Sequence, residues 1–302
     1  MSGMNIAHSV RQRLLNLSKK SSEDFQVLLI RYAVERLLYR LARSEHRDHF
    51  VLKGALLFAL WTGEMHRPTR DLDLLGLGDG GAERLAQVFS SLCELAVDDD
   101  GLQFDPATVV VEAIREDQEY GGQRVNFNAQ LEQAQIKLQV DVGFGDAVTP
   151  GVEEVEYPTL LGTDPLRLRA YPKETVVAEK FEAMVKLGMV NSRMKDFYDL
   201  MVVARTFSFE GEQLRQALVA TFSRRKTDLP SVLPVALTAA FAADNSKARQ
   251  WKAFCKRSGL KDMAGELDSV VKGLSSFLLP VLFSARRGEP LKSKWSPGGP
   301  WK

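Results

Sequence analysis

The sequence predicts an α+β fold: a mixed sheet flanked by helices over residues 1–171, an all-helical C-terminal domain over 172–288, and a disordered tail over 289–302. Three observations predict it. Residues 50–76, FVLKGALLFALWTGEMHRPTRDLDLLG, read as strand, glycine turn, short helix and strand in succession. Between Thr108 and Gly145 apolar residues recur at a period of two, the spacing of half-buried strands. From Lys173 onward the period lengthens to that of amphipathic helices, punctuated by Pro230, Pro234 and Gly259.

Residues 6–46 read as helical. From Asp24 to Arg43, Phe25, Leu28, Leu29, Tyr32, Ala33, Leu37 and Leu38 form one apolar stripe, with Ser21 or Ser22 as the N-cap. Phe50-Val51-Leu52 then makes a buried strand, and Gly54 a tight turn where backbone can approach a ligand. Ala55 to Trp61 is a short core helix ending at Gly63. In Asp71-Leu72-Asp73-Leu74 the strand period puts both aspartates on one face and both leucines in the core. Side-by-side carboxylates repel unless positive charge lies between them, and a hard cation such as Mg²⁺ answers that need with one or two carboxylates. A lone D-x-D is equally an exposed strand face. The strand, glycine turn and helix that precede it, with Gly54 17 residues before Asp71, favour a metal and phosphate site.

Gly80 to Ala96 reads as an amphipathic helix, and Asp98-Asp99-Asp100-Gly101 as a solvated acidic turn. Gly121-Gly122 marks a hairpin. In the run Gln135–Asp146, Ile136, Leu138, Val140 and Val142 share one face and Lys137, Gln139 and Asp141 the other, while Asp146 reads as a turn residue. Glu153–Tyr157 and Leu166–Tyr171 are short strands extending or edging the sheet. In the helix from Lys173, Lys180 falls on the apolar stripe with Val177 and Met184, where an ammonium needs an anion or a path to water. Asp196 and Asp199 flank the stripe of the next helix, where a helix start favouring acids is the plain explanation. Arg224-Arg225-Lys226 and Lys252, Lys256 and Arg257 form basic clusters that would contact phosphate if RNA binds. Gly288 to Lys302, rich in Pro and Gly, is the stretch read as disordered.

Composition narrows the class. The longest apolar run falls short of 18 residues, which argues against a membrane span, and the N-terminus lacks the apolar core of a secretory signal. His8, His46, His49 and His66 share no ligand spacing with Cys93 and Cys255, which argues against structural zinc; the cysteines suit a reducing cytoplasm. The net charge of +1 conceals an asymmetry, with 17 Lys and Arg against 8 Asp and Glu from Arg205 onward. A basic C-terminal part suits a polyanionic partner; solvated helix faces explain it as well.

The strand, glycine turn and D-x-D together resemble the polymerase β-like nucleotidyltransferase fold. Leu52-Lys53-Gly54 followed by Arg67-Pro68-Thr69-Arg70-Asp71-Leu72-Asp73 resembles, more narrowly, the AbiEii family of toxin nucleotidyltransferases, whose MenT members modify tRNA. The resemblance covers about residues 48 to 205 and implies residue roles. Asp71, Asp73 and a third carboxylate, Asp141, would hold Mg²⁺ or Mn²⁺; Lys53, Gly54, Ala55, Thr69, Lys180, Arg193 and Asp199 would contact the nucleotide. The family's A-E-K motif assigns a catalytic role to Lys180, and its K-D-x-x-D-L motif, matched by Lys195, Asp196, Asp199 and Leu200, assigns one to Asp196. Ala55 departs from the usual Gly or Ser, keeping the backbone N–H but offering no hydroxyl. The function implied is a toxin moving a nucleotide from an NTP to the 3′ end of tRNA, blocking aminoacylation and translation, with a separately encoded antitoxin. RNA contacts would fall to Arg224, Arg225, Lys226, Lys252 and Lys256. Alternative acceptors are a small molecule or a protein hydroxyl, Thr69 itself included, and a silent binding relative is the non-enzymatic reading.

Overall fold

The structure, a computed structural model, describes residues 6–21, 23–114, 121–163, 165–260 and 265–302. The backbone divides into two compact units, residues 1–145 with 153–170, and residues 146–152 with 171–302.

The first unit opens with helices α1 (Ile6–Ser21) and α2 (Phe25–Arg43). Asp24, rather than Ser21, caps α2: its carboxylate accepts from the Val27 N–H, and only a residue directly ahead of the first turn can reach that donor; Ser22 lies outside the described residues. There follow β1 (Phe50–Lys53), α3 (Leu56–Thr62), β2 (Asp71–Gly76), α4 (Ala82–Glu94), β3 (Leu102–Ile114), β4 (Gly122–Leu131), β5 (Ala134–Phe144), β6 (Glu153–Tyr157) and β7 (Leu166–Ala170). The strands form one mixed sheet in the order β3-β4-β5-β2-β1-β7-β6, so β6 and β7 extend it to an edge. Most of the hairpin read at Gly121-Gly122 lies outside the described residues, although Gly122 opens β4 opposite Ile114.

Helices α1, α2 and α4 cover one sheet face. The period-two reading of β5 decides which face that is, because Ile136, Leu138, Val140 and Val142 are all buried. Phe89 of α4 meets Phe50 of β1 and Phe127 of β4 edge-on or tilted, which locks the helix onto the sheet. Asp100 departs from the solvated-turn reading. It is 7% exposed, and its carboxylate accepts from Arg36 at 2.8 Å and Arg40 at 2.6 Å, both on α2. Burial pushes the Asp100 carboxyl up, but the two guanidiniums overcome that and hold it below the usual range. A triplet of aspartates carries no mark of which one folds inward onto an arginine pair.

The second unit comprises α5 (Lys173–Leu187), α6 (Met194–Thr206), β8 (Phe209–Glu210), α7 (Gly211–Arg224), α8 (Ala239–Ala243), α9 (Asn245–Arg257), α10 (Leu267–Arg287) and β9 (Lys294–Trp295). Helix α10 has the length and mean hydropathy, 1.4, of a membrane span. Its apolar residues Val270, Leu274, Phe277, Leu278 and Val281 are buried and it packs on α6 and α7, so a core position explains the hydropathy.

Two expectations for this unit are corrected. It is not all helical, because β8 and β9 pair as a small antiparallel sheet. Residues 289–302 are not a disordered tail but a strap. Trp295 is buried and donates its indole N–H to the Ala204 carbonyl at 2.7 Å, and Trp301 stacks on Phe277 of α10 and donates to its carbonyl. Two tryptophans bury enough apolar surface to order a segment whose Pro and Gly content suggests disorder.

Candidate active site

Strand register in the first unit builds a row of charges. Lys53 of β1 pairs opposite Asp73 of β2, Asp73 opposite Asp141 of β5, and Asp141 opposite Arg124 of β4. Directly paired residues point to the same face, so four adjacent strands present Lys53, Asp73, Asp141 and Arg124 in line, cation, anion, anion, cation. Asp71, two residues before Asp73, lies on that face in the row of Gln139 and Asn126. The period of two and the parallel pairing of β2 with β5 therefore bring the three sequence-predicted carboxylates to one face.

Gly54 makes the close approach possible. It has φ +76°, the left-handed region that favours glycine, and it turns β1 into the segment leading to α3. A Cβ at this position would lie 2.0 Å from Asp73 Oδ2, so the carboxylate sits directly over the glycine backbone. Ala55 follows, buried at 4% exposure, and α3 ends at Gly63 with φ +78°, as its sequence foretold. Thr69 donates its hydroxyl to the Asp71 carbonyl at 3.4 Å.

Arg124 went unread in the sequence. Its Nε and Nη2 each donate at 2.8 Å to the two oxygens of Asp141, and Gln139 Nε2 donates to Oδ1 at 3.4 Å. Hydrogen bonding to Asp141, with the Asp71 charge adding to it, raises the guanidinium above its ordinary pKa. Alternation with the buried Val125 and Phe127 already sends Arg124 to the polar face. What no local pattern carries is that Asp141 is its cross-strand partner.

Asp71 and Asp73 are hard oxygen donors two residues apart, the set a Mg²⁺-type ion takes from a protein. Asp141 has both oxygens engaged by Arg124. Accordingly, among the described residues no three His, Cys, Asp or Glu side chains converge as a ligand group. The residues fit an ion held by two carboxylates.

In the second unit, α5 and α6 bring together the other residues of the predicted set. Lys180 Nζ donates to Asp196 Oδ1 at 2.7 Å and lies 2.9 Å from Asp199 Oδ2, while Arg193 Nε donates to Asp196 Oδ2 at 2.7 Å. The anion required by a lysine on an apolar stripe is thus this pair of buried aspartates. Burial pushes the Asp196 carboxyl up, and the charges of Lys180 and Arg193 reverse the effect, leaving it below the usual carboxylate range.

The basic clusters divide. Lys252 and Lys256 are exposed on α9, with Trp251 and Phe254 buried on its inner face as core anchors. Arg224 is half-buried and Lys226 exposed. Arg225 is no surface contact for RNA: it bonds Glu182 at 2.9 Å and lies 3.3 Å from both Asp146 and Glu179. Asp146 also accepts from the Tyr171 hydroxyl at 3.1 Å, which gives this supposed turn residue a packing role. Consecutive basic residues look alike in sequence, and no local pattern marks Arg225 as the partner of the buried Glu182.

Comparison with curated proteins finds no match. Two Helicobacter pylori crystal structures share the fold at 15% identity. JHP933 has a TM-score of 0.51, with 87% of this chain and 94% of that one covered. A protein described as a candidate nucleotidyltransferase has a TM-score of 0.53, with 89% of this chain and all of that one covered. A family model described as nucleotidyl transferase AbiEii toxin, type IV toxin–antitoxin system, matches residues 36–272, well over half of the chain. With the D-x-D face and its glycine turn in place, that match makes the chain a member of the AbiEii nucleotidyltransferase toxin family of type IV toxin–antitoxin systems.

Proposed function

We propose that this nucleotidyltransferase moves a nucleotide from an NTP to the 3′ end of tRNA, so that the tRNA can no longer be aminoacylated and translation stops. The observation that carries the reading is the Asp73 carboxylate over Gly54, with Asp71 beside it on the same face. In the reaction the acceptor oxygen bonds to the α-phosphorus, the α–β phosphoanhydride bond breaks, and pyrophosphate leaves. Asp71 and Asp73 hold Mg²⁺ or Mn²⁺. Bound there, the ion supplies charge neutralisation at the transferring phosphoryl group.

The chain's own residues do the rest. Gly54 keeps the backbone low enough for Asp73 to reach across it, and Lys53, Ala55 and Thr69 flank the same turn and strand as nucleotide contacts. The family motifs assign Lys180 to the phosphates; Asp196 and Asp199 fix its ammonium, and Arg193 shares Asp196 with it. Exposed Lys252 and Lys256 serve as RNA phosphate contacts, and the family implies a cognate antitoxin.

The test is transfer of radiolabelled nucleotide from each of the four NTPs, with Mg²⁺, to total tRNA, beside Asp73→Asn. Label on tRNA from one NTP, reduced at least about 10³-fold in the variant, is expected and names the donor. Label on Thr69 or another protein hydroxyl instead would replace the tRNA acceptor; no label on any acceptor would defeat the enzymatic reading.

A further inference from the structure

Lys247, in the first turn of α9, is a buried cation to which nucleotide transfer gives no task. It is 4% exposed. Its ammonium donates to the Asn191 carbonyl at 2.9 Å and to Gln250 Oε1 at 3.5 Å, and lies 5.5 Å from the ring of Phe241 of α8. Among the described residues it forms no salt bridge, and Asp244, three positions earlier, caps α9 through the N–H groups of Ser246 and Lys247. Lysine is rarely buried without an ionised partner, and a positive charge at a helix N-terminus opposes the helix dipole. A methionine of similar length would fill the space without either cost. What the ammonium adds is its grip on the Asn191 carbonyl.

That carbonyl belongs to the link between α5 and α6, a 3-10 turn over Gly188–Val190 followed by Asn191, Ser192 and Arg193. Apolar packing anchors little of this link. Met189 and Val190 are 44% and 79% exposed, whereas Asn191 is completely buried. Its Oδ1 accepts from the Arg193 N–H at 2.8 Å, an Asx turn, and its own N–H donates to the Gly188 carbonyl at 3.3 Å. Arg193 leads into α6, its Nε donating to Asp196 at 2.7 Å and its side chain 41% exposed. One line of hydrogen bonds thus runs from Lys247, through the backbone and side chain of Asn191, to the residue assigned to the nucleotide.

We propose that Lys247 is a positioning residue for nucleotide binding: it fixes Asn191, whose Asx turn sets the direction in which Arg193 is presented. The inference rests on the reading of Arg193 as a nucleotide contact and deepens it. It adds a residue on another helix, 56 positions from Asn191, that holds the contact in place.

The experiment measures binding of the α,β-methylene analogues of the four NTPs, which cannot transfer, to the full chain with Mg²⁺ by isothermal titration calorimetry. Each variant is used at a temperature where circular dichroism shows it folded. With the analogue that the wild type binds tightest, Arg193→Gln should weaken affinity about 10-fold or more, the loss of one charged hydrogen bond. Lys247→Met should weaken it about 5-fold, and in the Arg193→Gln background it should add nothing, because it acts through Arg193. Asn191→Leu cuts the line at its middle and should match Lys247→Met; it carries the test if that variant fails to fold. Wild-type affinity in Lys247→Met or Asn191→Leu, or losses that multiply in the double variant, would make the lysine merely structural and overturn the inference while the role of Arg193 stands. Wild-type affinity in Arg193→Gln, or no binding of any analogue to the wild type, would remove that role and the inference with it.

Discussion

At the scale of the residue, two positions concentrate the physics of the first unit. Gly54 is fixed twice over, by φ +76° and by the Asp73 oxygen that a Cβ would meet at 2.0 Å. Gly54→Ala costs about 1–2 kcal/mol of backbone strain and displaces the carboxylate. Nucleotide transfer is therefore expected to fall by about 10²-fold, the usual penalty for misplacing a reacting group by an ångström, in a protein that still melts cooperatively. The second position is Glu35 of α2, 2% exposed, whose Oε2 accepts from the Leu160 N–H at 2.7 Å. Burial raises its carboxyl from 4.5 to about 7. The folded state thus binds the proton more tightly than the unfolded chain, so stability is greatest below the unfolded value and falls as pH rises toward 7. The loss amounts to about 3 kcal/mol by pH 8. Urea melts at pH 5 and pH 8 should show this slope in the wild type and a flatter one in Glu35→Gln; equal slopes would dismiss the effect.

At the scale of the element, the C-terminal strap is the surprise. It adds a strand to the two residues of β8 and packs Trp295 and Trp301 about Phe277. Trp295→Ala removes a buried indole and its hydrogen bond to Ala204, and should lower stability by about 3–5 kcal/mol, measured by chemical denaturation. A change under 1 kcal/mol would mean that the strap is dispensable. Sequence patterns read the other elements well where the pattern is local. The alternation in β5, the left-handed stop at Gly63 and the amphipathic stripe of α2 each depend on residues a few positions apart. The strap was misread because Pro and Gly content says how free a chain is when alone; it says nothing of two aromatic rings with a helix to lie on.

At the scale of the whole molecule, charge is divided between the units. The second carries 22 Lys and Arg against 14 Asp and Glu, and the first 18 against 25. Part of the second unit's positive charge is internal, however, since Arg225 and Lys180 serve buried carboxylates. Surface cations such as Lys252 and Lys256 are the ones available to a polyanion. On the proposed tRNA reading, replacing both with Glu should weaken tRNA binding and reduce the slope of log affinity against log salt by about 1–2, whereas an unchanged slope would count against these two lysines as RNA contacts. The sequence by itself determined the strand–glycine–helix–strand order, the shared face of Asp71 and Asp73, and the polar side of the strand bearing Asp141. These follow from strand and helix periods and from the backbone freedom of glycine, all set by near neighbours. Only the tertiary structure decided that Asp73 faces Asp141 and Asp141 faces Arg124, that Asp100 and Arg225 turn inward, and that the last residues are ordered. Each depends on which segments distant in sequence come to lie side by side, and a periodicity fixes the face of a strand without naming its neighbour.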